Sequence, residues 1–343
     1  MNRRHFLDTE SLAQAAGIVL GPWIALHEPP PENPADVSLL RYSRRAMATL
    51  FELLIPYGQP AAAEIANDAL DLIDQLESQL TVYRDDSEVS TINQSAHAAA
   101  VPVEEKLFAL LELAARLTDG TWGAFDVTAG PLIKAWGFFR RQGRMPTPAE
   151  RQEALNRVGM RHVELNRDNR SIRFRRPGVE INLGSIGKGY ALDRVAEAIR
   201  SRGVGSALLH GGGSSVLAIG GRPGDGNGWP IGIRHPADET RRIATLHLRD
   251  RALGTSAATF QNFDYNKRKL GHLLDPRSGR PAEGIASASA VAPTAAEADA
   301  LATAFYVLGV DKTRLYCQTR PEIGAILLPS GEDARLVAFN LDI

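Results

Sequence analysis

The chain has 343 residues, with 39 Lys+Arg against 40 Asp+Glu, a formal net charge of -1, 44% hydrophobic and 23% charged residues. That is the composition of a soluble globular protein with one large or two modest domains, and the balanced charge excludes the basic excess of a nucleic-acid binder. A single cysteine, Cys317, excludes an internal disulfide framework and any Cys-rich metal or iron–sulfur site, and no run of 18 apolar residues offers a spanning helix in the body.

The first six positions after the initiator include Arg3-Arg4-His5-Phe6-Leu7, which resembles a twin-arginine export signal. A mildly apolar run from Leu12 to Leu26 follows, and then Glu28 to Pro34, a stiff proline-rich spacer suited to neither helix nor sheet. An ordinary N-terminal helix with two exposed arginines is the alternative. Position, motif and spacer together favour the signal. Residues 1–35 are therefore expected to be a signal and spacer, and 36–343 the folded body of an exported protein, in the periplasm or on the outer face of the cytoplasmic membrane. No cysteine stands directly after the apolar run, so a lipoprotein-type lipid anchor is not expected. Membrane association would come only through an uncleaved N-terminal segment.

Along the body, Val37 to Pro56 is rich in β-type residues and reads as a strand pair or one long strand. Ile65, Ala69, Leu72, Ile73, Leu76 and Leu80 fall on one helical stripe; Leu107, Leu110, Leu111, Ala114 and Leu117 mark a second helix that stops at Asp119-Gly120. Val163 to Phe174 alternates around Asn and Asp turns, a hairpin. Leu192, Val195, Ala196 and Ile199 mark a third helix ending at Gly203. Short strands with glycine turns fill about 206 to 293, and a last helix spans about 295 to 308. Helices and strands mix without strict βαβ alternation, which predicts an α+β fold of mixed, largely antiparallel sheets packed with helices.

Five segments carry residues with chemistry. Asn182-Leu183-Gly184-Ser185-Ile186-Gly187-Lys188-Gly189-Tyr190 opens the third helix, where glycines let backbone amides approach an anion and Lys188 adds a point charge. It is neither a P-loop nor a dinucleotide fingerprint, and read alone a tight strand-to-helix turn with a surface lysine is the simpler account. His210-Gly211-Gly212-Gly213 ends an apolar strand; without a Gly-x-Ser-x-Gly elbow it makes no serine hydrolase, and His210 reads as a packed strand-end residue. His272 stands before the Asp275-Pro276-Arg277-Ser278-Gly279 turn, either as a general base or as a structural cap. Asp299 and Thr303 are spaced i, i+4 on one helix face, oxygens fit for Mg²⁺ or, read alone, a first-turn aspartate and a core threonine. Asp126 and Thr128 lie among Phe125, Trp136 and Phe138, able to bond and stack a heterocycle or simply to form an aromatic core.

No one segment is specific, but their order and spacing are. From Met47 to Gly309 the chain resembles the ApbE family of FAD:protein FMN transferases. Met47-Ala48-Thr49 is similar to the family's Met-Gly-Thr, and Tyr83-Arg84-Asp85-Asp86-Ser87-Glu88-Val89-Ser90-Thr91-Ile92-Asn93 to its Tyr…Asp-Ser-Glu-Ile-Ser-x-Ile-Asn. Ala124-Phe125-Asp126, the loop from Ser185 to Tyr190, Gly211-Gly212-Gly213, His272 to Gly279 and Ala298 to Thr303 follow in the family's order. Asn182 stands where an aspartate is common, Lys188 where some members have glutamate, and Thr255-Ser256-Ala257 where Thr-Ser-Gly is usual.

The resemblance implies a T-fold-related architecture and a specific chemistry. FAD would be held by Met47, Tyr83, Ala124, Phe125, Asp126, Asn182, Lys188 and Leu273; Mg²⁺ by Asp299, Thr303 and an oxygen of Ser185. His272 would take the proton of an acceptor-protein threonine or serine hydroxyl as FMN moves onto it and AMP leaves. Phosphoryl transfer needs positioning and charge neutralisation more than covalent help, which a metal, a lysine and loop amides supply. The same residues would serve an FAD pyrophosphatase, in which water replaces the hydroxyl, or an FAD-binding protein without catalysis.

Overall fold

The computed structural model describes residues 24–25, 38–140, 142–257, 262–265, 268–331 and 333–342. The expected signal and spacer at 1–35 lie outside them, apart from the two-residue strand Ile24–Ala25.

A hairpin opens the body, β1 (Leu39–Ala46) against β2 (Thr49–Pro56). Its two-residue turn puts Met47 and Ala48 at φ 50° and 57°, the hand that matches strand twist but suits Gly or Asn. Helix α1 (Ala62–Leu80) buries the expected stripe of Ile65, Ala69, Ile73, Leu76 and Leu80. The Ser87–Asn93 block, for which periodicity suggested no element, forms α2 (Glu88–Ser95), whose first turn is capped by Ser87 Oγ accepting the Ser90 N–H at 3.0 Å. Asn93 then clamps a distant loop: its Nδ2 donates to the Ile181 carbonyl at 2.9 Å and its Oδ1 accepts the Ile181 N–H at 2.7 Å.

Helices α3 (Glu105–Gly120), α4 (Gly130–Ala135) and α5 (Pro148–Leu155) follow, then the expected hairpin, β3 (Val163–Asn166) with β4 (Ser171–Phe174). Helix α6 (Gly187–Ser201) leads into β5 (Ala207–Gly211), β6 (Ser215–Ile219), β7 (Trp229–His235), β8 (Asp238–Leu248) and β9 (Ala252–Ala257). A small hairpin, β10 (Asn262–Tyr265) with β11 (Arg268–Gly271), precedes β12 (Ile285–Ala292), α7 (Ala295–Gln318), β13 (Gly324–Pro329) and β14 (Val337–Phe339).

Eight of these strands form one sheet in the order β14-β13-β12-β9-β6-β5-β2-β1, antiparallel at every pairing. Helices α1, α6 and α7 contribute Ile73, Leu192, Leu301 and Phe305 to the core on one face, around Phe51, Leu53 and Leu209. The β7–β8 hairpin covers the other face with Trp229, Ile231 and Leu246 against Leu54, Leu208 and Val216. A third, smaller cluster joins Leu132, Trp136 and Phe138 to Leu270 and Leu274. This is the α+β, largely antiparallel fold that the patterning predicts.

Two expectations change. The last helix runs ten residues beyond the expected 308, to Gln318, because the chain resumes helix after Gly309 (φ 73°, ψ −176°) to bury Thr313, Tyr316 and Cys317. Helices α2, α4 and α5 were invisible to periodicity, each having eight residues or fewer.

Candidate active site

The ends of β1, β2, β9, α6 and α7 surround a cavity of about 390 Å³. Met47, Tyr83, Ala124, Phe125, Asp126, Asn182, Ser185, Lys188, His272, Leu273, Asp299 and Thr303 all line it. Every residue that the resemblance placed around FAD, Mg²⁺ or the acceptor hydroxyl therefore reaches one concavity, although they span more than 250 positions of chain, whereas His210, Thr128 and Trp136 do not line it.

The acidic corner is made by two helices in close apposition. A Cβ on Gly189 would lie 2.0 Å from the Ala295 carbonyl oxygen, so only glycine lets α6 approach the start of α7 this closely. Asp193, one turn further along α6, grips the same start: its Oδ1 accepts the Ala295 N–H at 2.7 Å and its Oδ2 the Ala296 N–H at 2.8 Å. A carboxylate on the first amides of a helix satisfies donors that have no partner within the helix and faces its positive dipole end. From the other side, a Cβ on Gly254 of β9 would lie 2.4 Å from the Ala298 carbonyl oxygen.

That apposition places Asp299 against α6. Its Oδ2 accepts the Gly189 N–H at 2.8 Å and the Ser215 hydroxyl at 2.9 Å. The residue is 7% exposed, and burial pushes its carboxyl above the ordinary aspartate range, while the Lys188 charge and these two hydrogen bonds pull it down. One turn on, Thr303 Oγ1 lies 3.2 Å from Ser256 Oγ and donates to the Asp299 carbonyl at 3.3 Å. Among the described residues no three His, Cys, Asp or Glu side chains cluster as a metal site. The oxygens present are one carboxylate and several hydroxyls. Such a set suits a hard cation that keeps part of its water and leans on substrate phosphates, the usual habit of Mg²⁺, and a buried carboxylate beside a single lysine calls for further positive charge.

Another part of the lining is aromatic, with Tyr83, Phe125 and Phe138. The His272 ring meets Phe138 edge-on, with centroids 6.4 Å apart and planes at 75°. The turn that follows it is anchored by Trp136, whose indole Nε1 donates to the Gly279 carbonyl at 2.9 Å. Tyr83 is 65% exposed at the rim and stacks on Phe139 at 4.8 Å, with Lys134 Nζ 5.2 Å from that ring's centroid. Asp126 is nearly buried; Oδ1 accepts the Thr128 N–H (2.8 Å) and hydroxyl (2.6 Å), and Oδ2 the Met160 N–H (3.2 Å). Burial nonetheless raises its pKa, against the pull of these bonds. Asn182 Oδ1 accepts the Gly184 N–H at 2.9 Å, closing the loop before α6.

One sequence reading resolves as structure. His210 is a packed strand residue, its Nε2 2.8 Å from Glu52 Oε2 on the sheet face that β7–β8 covers. Glu52 is held below the ordinary glutamate range by that contact. Reasoning from sequence missed Ser215 and Gly189 as partners of Asp299, Phe138 and Phe139 behind His272 and Tyr83, and Thr49, Ser214 and Ser256 on the cavity wall. Ser214-Ser215 after the triple glycine was the available signal, since a polar pair at the end of a buried strand calls for a partner.

Residues 47–327 match the model of the ApbE family. A FAD:protein FMN transferase of Treponema pallidum is 31% identical over 319 residues, 88% of this chain and 88% of that protein. One of Salmonella typhimurium is 29% identical over 277 residues, 79% of each. Among solved structures, an ApbE protein from Thermotoga maritima superimposes with a TM-score of 0.80 at 27% identity, covering 88% of this chain and 96% of that one. The apo flavinyl transferase ApbE of Pseudomonas stutzeri gives 0.79 at 25% identity, covering 91% and 100%.

Proposed function

The chain belongs to the ApbE family, and from that premise we propose that it is a FAD:protein FMN transferase whose reaction takes place in the cavity between α6, α7 and the His272 turn. The observation that carries this reading is the convergence on one cavity of a buried carboxylate, a lysine and a histidine.

FAD is the substrate. Tyr83 and the aromatic wall offer a stacking surface for one of its ring systems, and Lys188 with the loop from Asn182 to Gly189 faces its pyrophosphate. The oxygen of an acceptor threonine or serine hydroxyl attacks the FMN-side phosphorus. The P–O bond to AMP breaks, AMP leaves with the bridging oxygen, and His272 takes the hydroxyl proton. A phosphoester then joins FMN to the acceptor. Asp299 and Thr303, with Ser185, are the residues that would hold Mg²⁺, which when bound supplies positive charge to the pyrophosphate. Phe138 keeps the imidazole on its wall, and the hydrogen bonds from Gly189 and Ser215 fix the direction of the Asp299 carboxylate.

The N-terminal Arg3-Arg4 segment supports export by the twin-arginine route, which would bring the enzyme to acceptors outside the cytoplasm. The test of the whole reading is product analysis with FAD and Mg²⁺: stoichiometric AMP and protein-bound flavin support it, whereas AMP with free FMN makes the protein a pyrophosphatase.

A further inference from the structure

Charge is distributed unevenly along this nearly neutral chain. Residues 140–176 hold eleven arginines and four carboxylates, against a net charge of -1 for the whole protein. Five of those arginines are quenched by ion pairs: Arg144 with Glu150, Arg157 with Glu153, Arg175 with Glu164, Arg167 with Glu112 and Arg170 with Glu105. Arg140, Arg151, Arg161, Arg173 and Arg176 have no ion pair among the described residues.

This arginine-rich segment borders a second cavity, of about 280 Å³. Arg161 and Arg277 line it beside the amides of Gln152 and Asn156. Arg176 reaches the same wall, donating through Nη1 to the Asn156 carbonyl at 2.5 Å. Asp126 and Pro276 line this cavity and the first one alike, so the two adjoin at those residues. The one carboxylate on the wall, Asp126, is turned inward by its bonds to Thr128 and Met160. Arg277 is held by Asp275 through Nε at 2.8 Å, so among the described residues lining this cavity Arg161 is the exposed cation without an ion pair, its charge felt by the buried Asp126 carboxylate.

We propose that this second cavity and its arginine rim are the docking surface for the acceptor protein, and that they recognise an acidic stretch of polypeptide beside the acceptor hydroxyl. The inference rests on the transferase reading. A macromolecular acceptor must bring its hydroxyl into the first cavity from outside, and a groove adjoining that cavity is where its flanking chain lies. The side-chain amides of Gln152 and Asn156 bond each other, Gln152 Nε2 donating to Asn156 Oδ1 at 3.0 Å, so Gln152 Oε1 and Asn156 Nδ2 are the groups that suit an extended backbone, while arginines without an ion pair select carboxylates and steer encounter. Exposed charges of this kind act mainly on affinity and association, and their contribution falls with salt.

The test uses the full chain with FAD and two fluorescein-labelled 15-residue peptides. Both carry one central threonine; one has four flanking aspartates and the other four asparagines. Fluorescence anisotropy at low salt should show the aspartate peptide binding about tenfold more tightly, with the advantage gone in 0.5 M NaCl. Arg161→Glu should abolish the preference and Arg161→Lys should retain it, with the dissociation constant for FAD unchanged in both. Equal binding of the two peptides, or a preference that survives Arg161→Glu, overturns the proposal. A changed FAD affinity would overturn it too, by assigning the second cavity to the nucleotide. If Arg161→Glu instead loses binding to phosphatidylglycerol-containing vesicles while peptide binding is unaltered, the surface faces a membrane. Release of AMP from FAD is measured alongside: its failure counts against the transferase reading, whereas the peptide preference is read without turnover.

Discussion

Replacing Gly189 by alanine tests how the acidic corner is built. The new Cβ would stand 2.0 Å from the Ala295 carbonyl oxygen, 2.3 Å from its carbon and 2.6 Å from the Ala296 nitrogen. All three are backbone atoms at the start of a helix, so no side chain can rotate away. Restoring ordinary contact, at 3.4 Å or more, moves the start of α7 by about 1.4 Å relative to α6. The Asp193 bonds to Ala295 and Ala296, now 2.7 and 2.8 Å, then stretch or break, and Asp299 is displaced from the Gly189 N–H and from Lys188. Overpacking of this kind costs about 1–3 kcal/mol of stability. A misplacement of roughly 1 Å in a reacting constellation costs on the order of 100-fold in rate. AMP release from FAD should therefore fall about 100-fold in Gly189→Ala, with the midpoint Mg²⁺ concentration raised and the melting temperature lowered. Gly205→Ala, with nothing within 4 Å of the added carbon, is the control and should leave both unchanged. A Gly189→Ala enzyme with wild-type turnover and melting temperature would refute the reasoning.

Three further perturbations probe other parts of the account. His272→Ala should lower the turnover number about 10²–10⁴-fold while FAD affinity, read by equilibrium dialysis, stays as in the wild type; an equal loss of binding would make His272 structural. Ala48→Gly relieves a left-handed alanine at φ 57° and should raise the urea midpoint by the equivalent of about 0.5–1 kcal/mol, so a lowered midpoint would mean the turn tolerates alanine without strain. Replacing Arg3-Arg4 by a lysine pair should strand the protein in the cytoplasm on cell fractionation, and unchanged export would reject the twin-arginine reading.

The parts of this molecule that were legible in the sequence are those set by local periodicity or by polar residues with no local use. The stripe of α1 and the hairpin of β3 and β4 follow directly from side-chain spacing. Asp299 and Thr303 announced a shared helix face by their i, i+4 separation, and both line the cavity. The unread parts depend on contacts across long stretches of chain. Nothing near Gly189 signals that Ala295 will press against it 106 positions later, and nothing near Ser215 names Asp299, 84 positions away, as its acceptor. Asn93 is the instructive middle case. Its motif was recognised, but its work, clamping both backbone groups of Ile181 just before the loop that carries Ser185 and Lys188, appears only in three dimensions.

The central claim is that the cavity moves FMN from FAD onto a protein hydroxyl. Its most direct measurement incubates the full chain with FAD and a threonine-bearing acceptor flavoprotein, with Mg²⁺ or with EDTA, and quantifies AMP and acid-stable protein-bound flavin together. The account predicts equal amounts of the two with Mg²⁺ and neither with EDTA. AMP matched by free FMN, or FAD retained intact on the protein in the presence of Mg²⁺ and acceptor, would contradict it.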